Sequence, residues 1–284
     1  MQGTTVRRVG LVLAATALTG VAACTSQESS DAPARGDRAA RGRALAALRA
    51  AERATEHAES ARVKSTTSMG SLMSMTADGT LGWSDGITGR LTIEYTGGTI
   101  ADTMRRLGTT SMEARYLPEA YYARMGEKFA EQTGGRHWIR YAYEDLEELA
   151  GGSGAHLGDQ MRSTTPNQSV KLLLSSGDVR KVGEESVRGR SATHWSGTVT
   201  ATDVADDGLR KQLTGAGVTT ETVDIWVDKR NLLVKKVEKA RTATGLMTQT
   251  AHYADYGVPV RAERPPRSDT GDFEDLMREQ PRTP

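Results

Sequence analysis

Residues 63–95 read VKSTTSMGSLMSMTADGTLGWSDGITGRLTIEY. Val63, Met69, Met73, Met75, Leu81, Trp83, Leu91, Ile93 and Tyr95 all fall on odd positions, while Lys64, Thr66, Ser74, Arg90, Thr92 and Glu94 fall on even ones. A period of two is the signature of strands that send successive side chains to opposite faces, one apolar and one wet. The stretch predicts successive strands of an antiparallel sheet. Asp78-Gly79, Asp85-Gly86 and Gly97-Gly98 read as the turns between them.

The pattern continues outward from this stretch. Met112, Ala114 and Tyr116 alternate with Glu113 and Arg115, and Tyr121, Ala123 and Met125 alternate with Tyr122 and Arg124. Residues 136–142, 179–186, 192–200, 219–228 and 246–256 read as further strands. Residues 232–240 lose alternation at Lys235-Lys236, which predicts a bulge or a sheet edge. Turn spacing gives roughly ten strands.

Helices interrupt the strands. Residues 39–61 are rich in good helix formers, with Leu45, Leu48, Ala51, Thr55 and Ala58 at helical spacing. Residues 143–150 (YEDLEELA) carry acids near the expected N-terminus, where the helix dipole favours them. Residues 168–175, with Asn167 as expected cap, hold Val170, Leu172, Leu173 and Leu174 on several sides of one short helix, which predicts burial. Residues 204–213 are polar and read as helical, and Phe273, Leu276 and Met277 mark a short amphipathic helix.

A sheet with one apolar face must cover it, and a long antiparallel sheet twists and curls. The expected fold is therefore α+β: a curved antiparallel half-barrel sheet with helices packed on its concave face. The cavity candidates are Met69, Met73, Met75, Leu81, Trp83, Leu91, Ile93, Val170, Leu173 and Leu174. Methionine suits a surface that accepts varied apolar partners. The plainer alternative is that these side chains simply pack against one another.

The N-terminus carries a different message. Arg7 and Arg8 precede an apolar run over residues 9–18, too short to span a bilayer, and Val21-Ala22-Ala23 then leads to Cys24. Cys24 is the single cysteine of 284 residues, so no intramolecular disulfide can form. The order of charged start, apolar core, small residues, cysteine and polar tether resembles the lipobox of bacterial lipoproteins. That resemblance implies cleavage before Cys24, a diacylglyceryl group on its thiol and an acylated N-terminus. Two or more chains anchor stably where one does not. The expected organisation is a signal peptide over 1–23, a flexible tether over 24–38, one domain over 39–262 and a polar, Pro-rich tail over 263–284.

The order of elements over residues 178–200 (DVRKVGEESVRGRSATHWSGTVT), 223–240 (VDIWVDKRNLLVKKVEKA) and 253–260 (YADYGVPV) resembles the actinobacterial LppX/LprG lipoproteins and, more distantly, the LolA/LolB carriers. It covers about residues 40–262. The resemblance implies a half-barrel closed by helices around a hydrophobic cavity, and a role in binding or moving acylated lipids or lipoproteins.

The chain carries 37 Lys and Arg against 36 Asp and Glu, so it lacks the basic footprint of a nucleic-acid binder. No catalytic constellation stands out. Residues 151–155 (GGSGA), around Ser153, lack the last glycine of a nucleophile elbow and follow a helix rather than a strand. His57, His137, His156, His194 and His252 show no metal-ligand spacing, and no cofactor motif is present. The expected protein is not an enzyme. It is anchored by lipid to the outer face of the cytoplasmic membrane and binds or carries an acyl lipid or glycolipid. The alternative is an envelope protein-interaction or sensor module with a filled core and no ligand.

Overall fold

The computed structural model describes residues 31–149, 165–242 and 245–279. The expected signal peptide over 1–23, Cys24, Ser153 and His156 lie outside these residues. A long helix, α1 (Asp31–His57), leads into β1 (Ser60–Met69), β2 (Met73–Gly82) and β3 (Thr88–Gly97). Then come α2 (Gly98–Arg106), β4 (Ser111–Tyr116), β5 (Ala120–Arg124), α3 (Glu127–Gln132), β6 (Trp138–Ala142) and α4 (Tyr143–Leu149). The second half holds α5 (Pro166–Ser175), β7 (Arg180–Val187), β8 (Arg190–Thr200), α6 (Asp207–Gly215), β9 (Thr220–Asp228), β10 (Leu233–Thr242) and β11 (Gly245–Ala254). β12 (Thr270–Asp272) and α7 (Phe273–Glu279) follow.

All twelve strands form one open, curved sheet in the order β12-β6-β5-β4-β3-β2-β1-β11-β10-β9-β8-β7. Every neighbouring pair is antiparallel except β12 with β6, which is parallel. The sheet is therefore mixed and larger than the ten antiparallel strands expected. The extra parallel strand comes from the tail, where three residues are too few to show a period. No helix among the described residues is long and apolar enough to cross a membrane.

Several expected boundaries move, each for a physical reason. Asp78-Gly79 lies inside β2 rather than at a turn. A Cβ on Gly79 would sit 2.0 Å from the Arg90 carbonyl oxygen, so this glycine lets β3 approach closely. The turn instead lies between Met69 and Met73, where Gly70 adopts φ 49° and Leu72 N–H donates to Met69 O at 2.9 Å. Helix α5 starts at Pro166 with Thr165, not Asn167, at the cap position, because proline has no N–H to satisfy and its φ suits the first turn. Helix α1 begins at Asp31, within the stretch expected as tether. Helices α2 and α3 were not anticipated.

The alternation break resolves as a bulge. The β9–β10 register shifts between Leu233 and Lys235, and β10 is flanked on both sides, so it is no edge. The freed Leu233 N–H donates to Thr55 Oγ1 at 3.2 Å, and Thr55 is fully buried on α1. The helix thus satisfies a donor that the bulge would otherwise orphan.

One core cluster joins α1, through Leu48 and Ala51, with α5, through Val170 and Leu173, and with one face of the sheet. That inner face carries Val63, Leu81, Leu91 and Ile93 from the first half and Val199, Val223, Ile225 and Val227 from the second. Helix α5 packs on β8, β9 and β10 and against α1. The outer face holds two small apolar clusters, one around Trp226 and one around Tyr122 and Trp138. The tail crosses this outer face. Arg115 donates to Glu263 O at 2.8 Å, His137 Nδ1 lies 2.7 Å from Asp269 Oδ1, and Arg140 donates to Asp272 at 2.8 Å.

Candidate functional site

Strand register places residues side by side on the inner face. One row runs from β2 to β9 as Met73, Met69, Met247, Ala240 and Glu221. The next runs Met75, Thr67, Gln249, Glu238 and Val223, and a third runs Ala77, Ser65, Ala251, Lys236 and Ile225. Met69, Met73, Met75 and Met247 are each only half-buried. A half-covered methionine track on three strands, β2, β1 and β11, therefore leads to a group of three ionisable residues. Those residues occupy positions whose neighbours along β9 and β10 are core apolar side chains.

A hollow of about 140 Å³ lies where the track meets the helices. Helix α5 supplies Gln168 and Leu172, helix α6 supplies Leu209, Gln212 and Leu213, and Ala216 follows at its C-terminal cap. The sheet side is Glu221, Lys236, Glu238, Met247 and Gln249, with Val218 just before β9. Leu209, Leu213 and Ala216 share one face of α6 by helical spacing. Asp206 caps that helix by accepting from Leu209 N–H at 3.0 Å. Gln168 Nε2 donates to Gln212 Oε1, tying α5 to α6 over the hollow. Helix α5 is seated by a close approach to β8: a Cβ on Gly197 would fall 2.6 Å from Ser176 Oγ and 2.8 Å from Leu173 Cδ1. Asp178 accepts the Thr198 N–H at 2.6 Å and is held below the usual carboxylate range by its bonds to Ser176 and Thr198.

The electrostatics of the hollow are unusual for a face so apolar. Glu221, Lys236 and Glu238 are 4%, 9% and 7% exposed. Lys236 Nζ pairs with Glu238 Oε2 at 2.8 Å. Burial pulls the Lys236 ammonium down, but the charge of Glu238 and the hydrogen bond it accepts outweigh it and the net shift is upward. Glu221 makes no hydrogen bond within the described residues. Burial first, and the neighbouring Glu238 second, push its carboxyl up to about 8 against the pull of Lys236. A shifted acid in a hollow lined by amides and aliphatic side chains makes this the candidate site.

The expected cavity residues divide into two groups. Leu81, Trp83, Leu91, Ile93, Val170 and Leu173 are buried within the core cluster, with Met75 and Leu174 packed partly buried against it. Met69 and Met73 stay half-covered on the row that ends at Glu221. The residues around the hollow were missed in the sequence, although one signal was present. Glu221, Lys236 and Glu238 sit in the apolar phase of their strands.

A larger depression of about 450 Å³ lies on the outer face, lined by Tyr122, Arg140, Arg264 and Arg267. Arg140 is paired with Asp272 and Arg264 with Glu119. His194 sits between Glu185 at 2.8 Å and Asp224 at 2.9 Å and stacks on Trp226 with ring centroids 4.1 Å apart. Among the described residues no group of three or more His, Cys, Asp or Glu could hold a metal ion.

No family model matches the chain. A protein of Streptomyces coelicolor named as a lipoprotein, SCO4650, is 57% identical over 99% of both chains. A 31.2 kDa protein encoded between rplA and rplJ in Streptomyces griseus is 50% identical, over 84% of this chain and 82% of that one. Among solved structures, LprF from Mycobacterium bovis matches with TM-score 0.50 at 15% identity, over 79% of this chain and 97% of LprF. The lipoprotein LppX of Mycobacterium tuberculosis has TM-score 0.49 at 16% identity. The fold is thus similar to that of LprF, and by its identity along almost its whole length the chain belongs to the family of the Streptomyces coelicolor lipoprotein SCO4650.

Proposed function

We propose that the protein is a lipid-anchored carrier of the cell envelope that takes an amphiphile into its half-barrel. In this reading Cys24 carries the diacylglyceryl anchor and residues 24–38 include the tether. The helices occupy the concave side of the sheet, and the domain stands on the outer face of the cytoplasmic membrane. The observation that carries the reading is the amphipathic hollow at the end of the methionine track. Its aliphatic wall of Leu172, Leu209, Leu213 and Met247 faces a polar wall of Glu221, Lys236, Glu238 and Gln249.

The size of the hollow sets the mechanism. An engineered cavity of about 150 Å³ admits one benzene, so 140 Å³ holds a headgroup or a chain end, not a whole acyl chain. The rest of a chain lies along Met69, Met73, Met75 and Met247, whose half-covered side chains rearrange readily. Each methylene removed from water there is worth about 0.8 kcal/mol, which offsets the loss of bilayer contacts. No covalent step is involved. The ligand class is an acyl lipid or glycolipid.

The test is extraction of lipid from the mature chain carrying Cys24→Ala, followed by mass spectrometry and displacement of a fluorescent fatty acid. Co-purified lipid in near-stoichiometric amount supports the carrier. Absence of both lipid and displacement rejects it in favour of a second reading, an envelope protein-interaction module. That reading is favoured by the full burial of Leu48, Val170 and Leu173 where an open cavity would need space.

A further inference from the structure

Resting on the carrier reading, we propose that the hollow between α5, α6 and β9–β11 receives the primary ammonium group of an amphiphile, with Glu221 as its counter-charge. The reasoning starts from what Glu221 lacks. Its side chain is 4% exposed, lines the hollow and accepts no hydrogen bond within the described residues. A buried carboxylate without a partner is costly, and such groups are normally paired. Burial favours the protonated carboxyl, and a cation placed beside it favours the carboxylate. A group that carries donors and positive charge would complete the arrangement.

The remaining groups narrow the chemistry. Lys236 is committed to Glu238 at 2.8 Å, so it is not free to receive an anion. When a cation entering the hollow displaces the Glu221 proton, the wall presents two carboxylates against the one ammonium of Lys236. A fatty-acid carboxylate or a phosphate placed there finds no free counter-charge, because Lys236 is already paired, and it stands beside Glu238. An ammonium meets attraction, and its three N–H donors match the carboxylate and the side-chain amide oxygens of Gln168 and Gln249. Gln212 is the exception, since its amide oxygen already accepts from Gln168. The aliphatic wall excludes water, which strengthens the charge pairing. The volume of about 140 Å³ suits an aminoethyl-sized head with its tail leaving along Met247 and Met69.

The experiment uses the mature chain with Cys24→Ala and three probes of equal tail length: dodecylamine, dodecanol and dodecanoate, titrated calorimetrically at pH 7.5. Dodecylamine is expected to bind at least tenfold more tightly than either of the others. Glu221→Gln should erase that preference while dodecanol still binds, and should raise the thermal melt at this pH. Equal binding of all three overturns the ammonium proposal and leaves the carrier reading standing. Binding of none overturns both. Amine preference retained in Glu221→Gln overturns the role given to Glu221. Vesicles identify the source of the ammonium. Preferential extraction of phosphatidylethanolamine over phosphatidylglycerol of the same chains supports a lipid headgroup. Butylamine binding as tightly as dodecylamine supports a free amine at the same site and rejects the carrier reading.

Discussion

Glu221→Gln changes one atom in the hollow and removes one titration. The carboxyl is raised from 4.5 to about 8, first by burial and then by Glu238, while Lys236 pulls the other way. The helices above contribute only uncharged side chains to this pocket, with Gln168 and Gln212 as its polar ones. The folded chain therefore keeps a proton, between about pH 4.5 and 8, that the unfolded chain has released. An acid whose folded pKa is raised stabilises the fold below that window, and the contribution is lost as pH rises through it. Each bound proton corresponds to a slope of about 1.4 kcal/mol per pH unit, so the whole loss is on the order of 5 kcal/mol. Glutamine mimics the neutral acid and carries no such slope. Urea unfolding of both proteins at pH 5, 6, 7 and 8 measures the effect, and other titrating groups cancel in the difference. Near pH 5 the two should be nearly equal. By pH 8 the Gln variant should be the more stable by several kcal/mol. A difference that stays flat across this range means that Glu221 is solvated or paired, and the charge argument for the hollow falls.

Other perturbations test other parts of the fold. Gly197→Ala forces a Cβ against Ser176 Oγ at 2.6 Å, so α5 must shift, at roughly 1–3 kcal/mol by thermal melting; an unchanged melt contradicts the seating of that helix. Leu173→Ala empties a fully buried site and should cost about 2–5 kcal/mol in denaturant unfolding. The His137 imidazole is raised by its bonds to Asp269 and Glu127, so its hold on the tail is complete below about pH 6.5 and is lost as pH climbs through the raised value. Proteolysis of residues 263–279 should quicken from pH 6 to pH 8 in the wild type, and lose that pH dependence in His137→Gln. Cys24→Ala should move the protein from the membrane fraction to the soluble one or leave its signal uncut; retention with normal processing removes the anchor from the proposal.

The sheet was legible because Leu91, Ile93, Val223, Ile225 and Val227 alternate with polar neighbours, and the pleat turns that alternation directly into two faces. The burial of Val170 and Leu173 followed from their clustering in one short helix. What escaped was set by contacts distant in sequence. Gly79 looks like a turn residue until the Arg90 carbonyl is placed against it. β12 is three residues long and exists because Arg140 and His137 hold Asp272 and Asp269 beside β6. The hollow was missed because Glu221 and Glu238 look like ordinary surface acids in a strand until register sets them inward beside Met247 and Gln249. The methionine stripe was legible as an apolar row, but its continuation to Glu221 crosses β11 and β10, which lie far along the chain.

A single-tail amphiphile with a photoreactive group at the end of its chain reports most directly where a lipid sits. Cross-linked to the mature chain and mapped by peptide sequencing, it should label Met69, Met73, Met75 or Met247, and labelling should fall when an unlabelled amphiphile is added. Labelling confined to the outer face around Tyr122, Trp138 and Trp226, or labelling that no competitor reduces, would show that the inner face is only packing and that nothing is carried there.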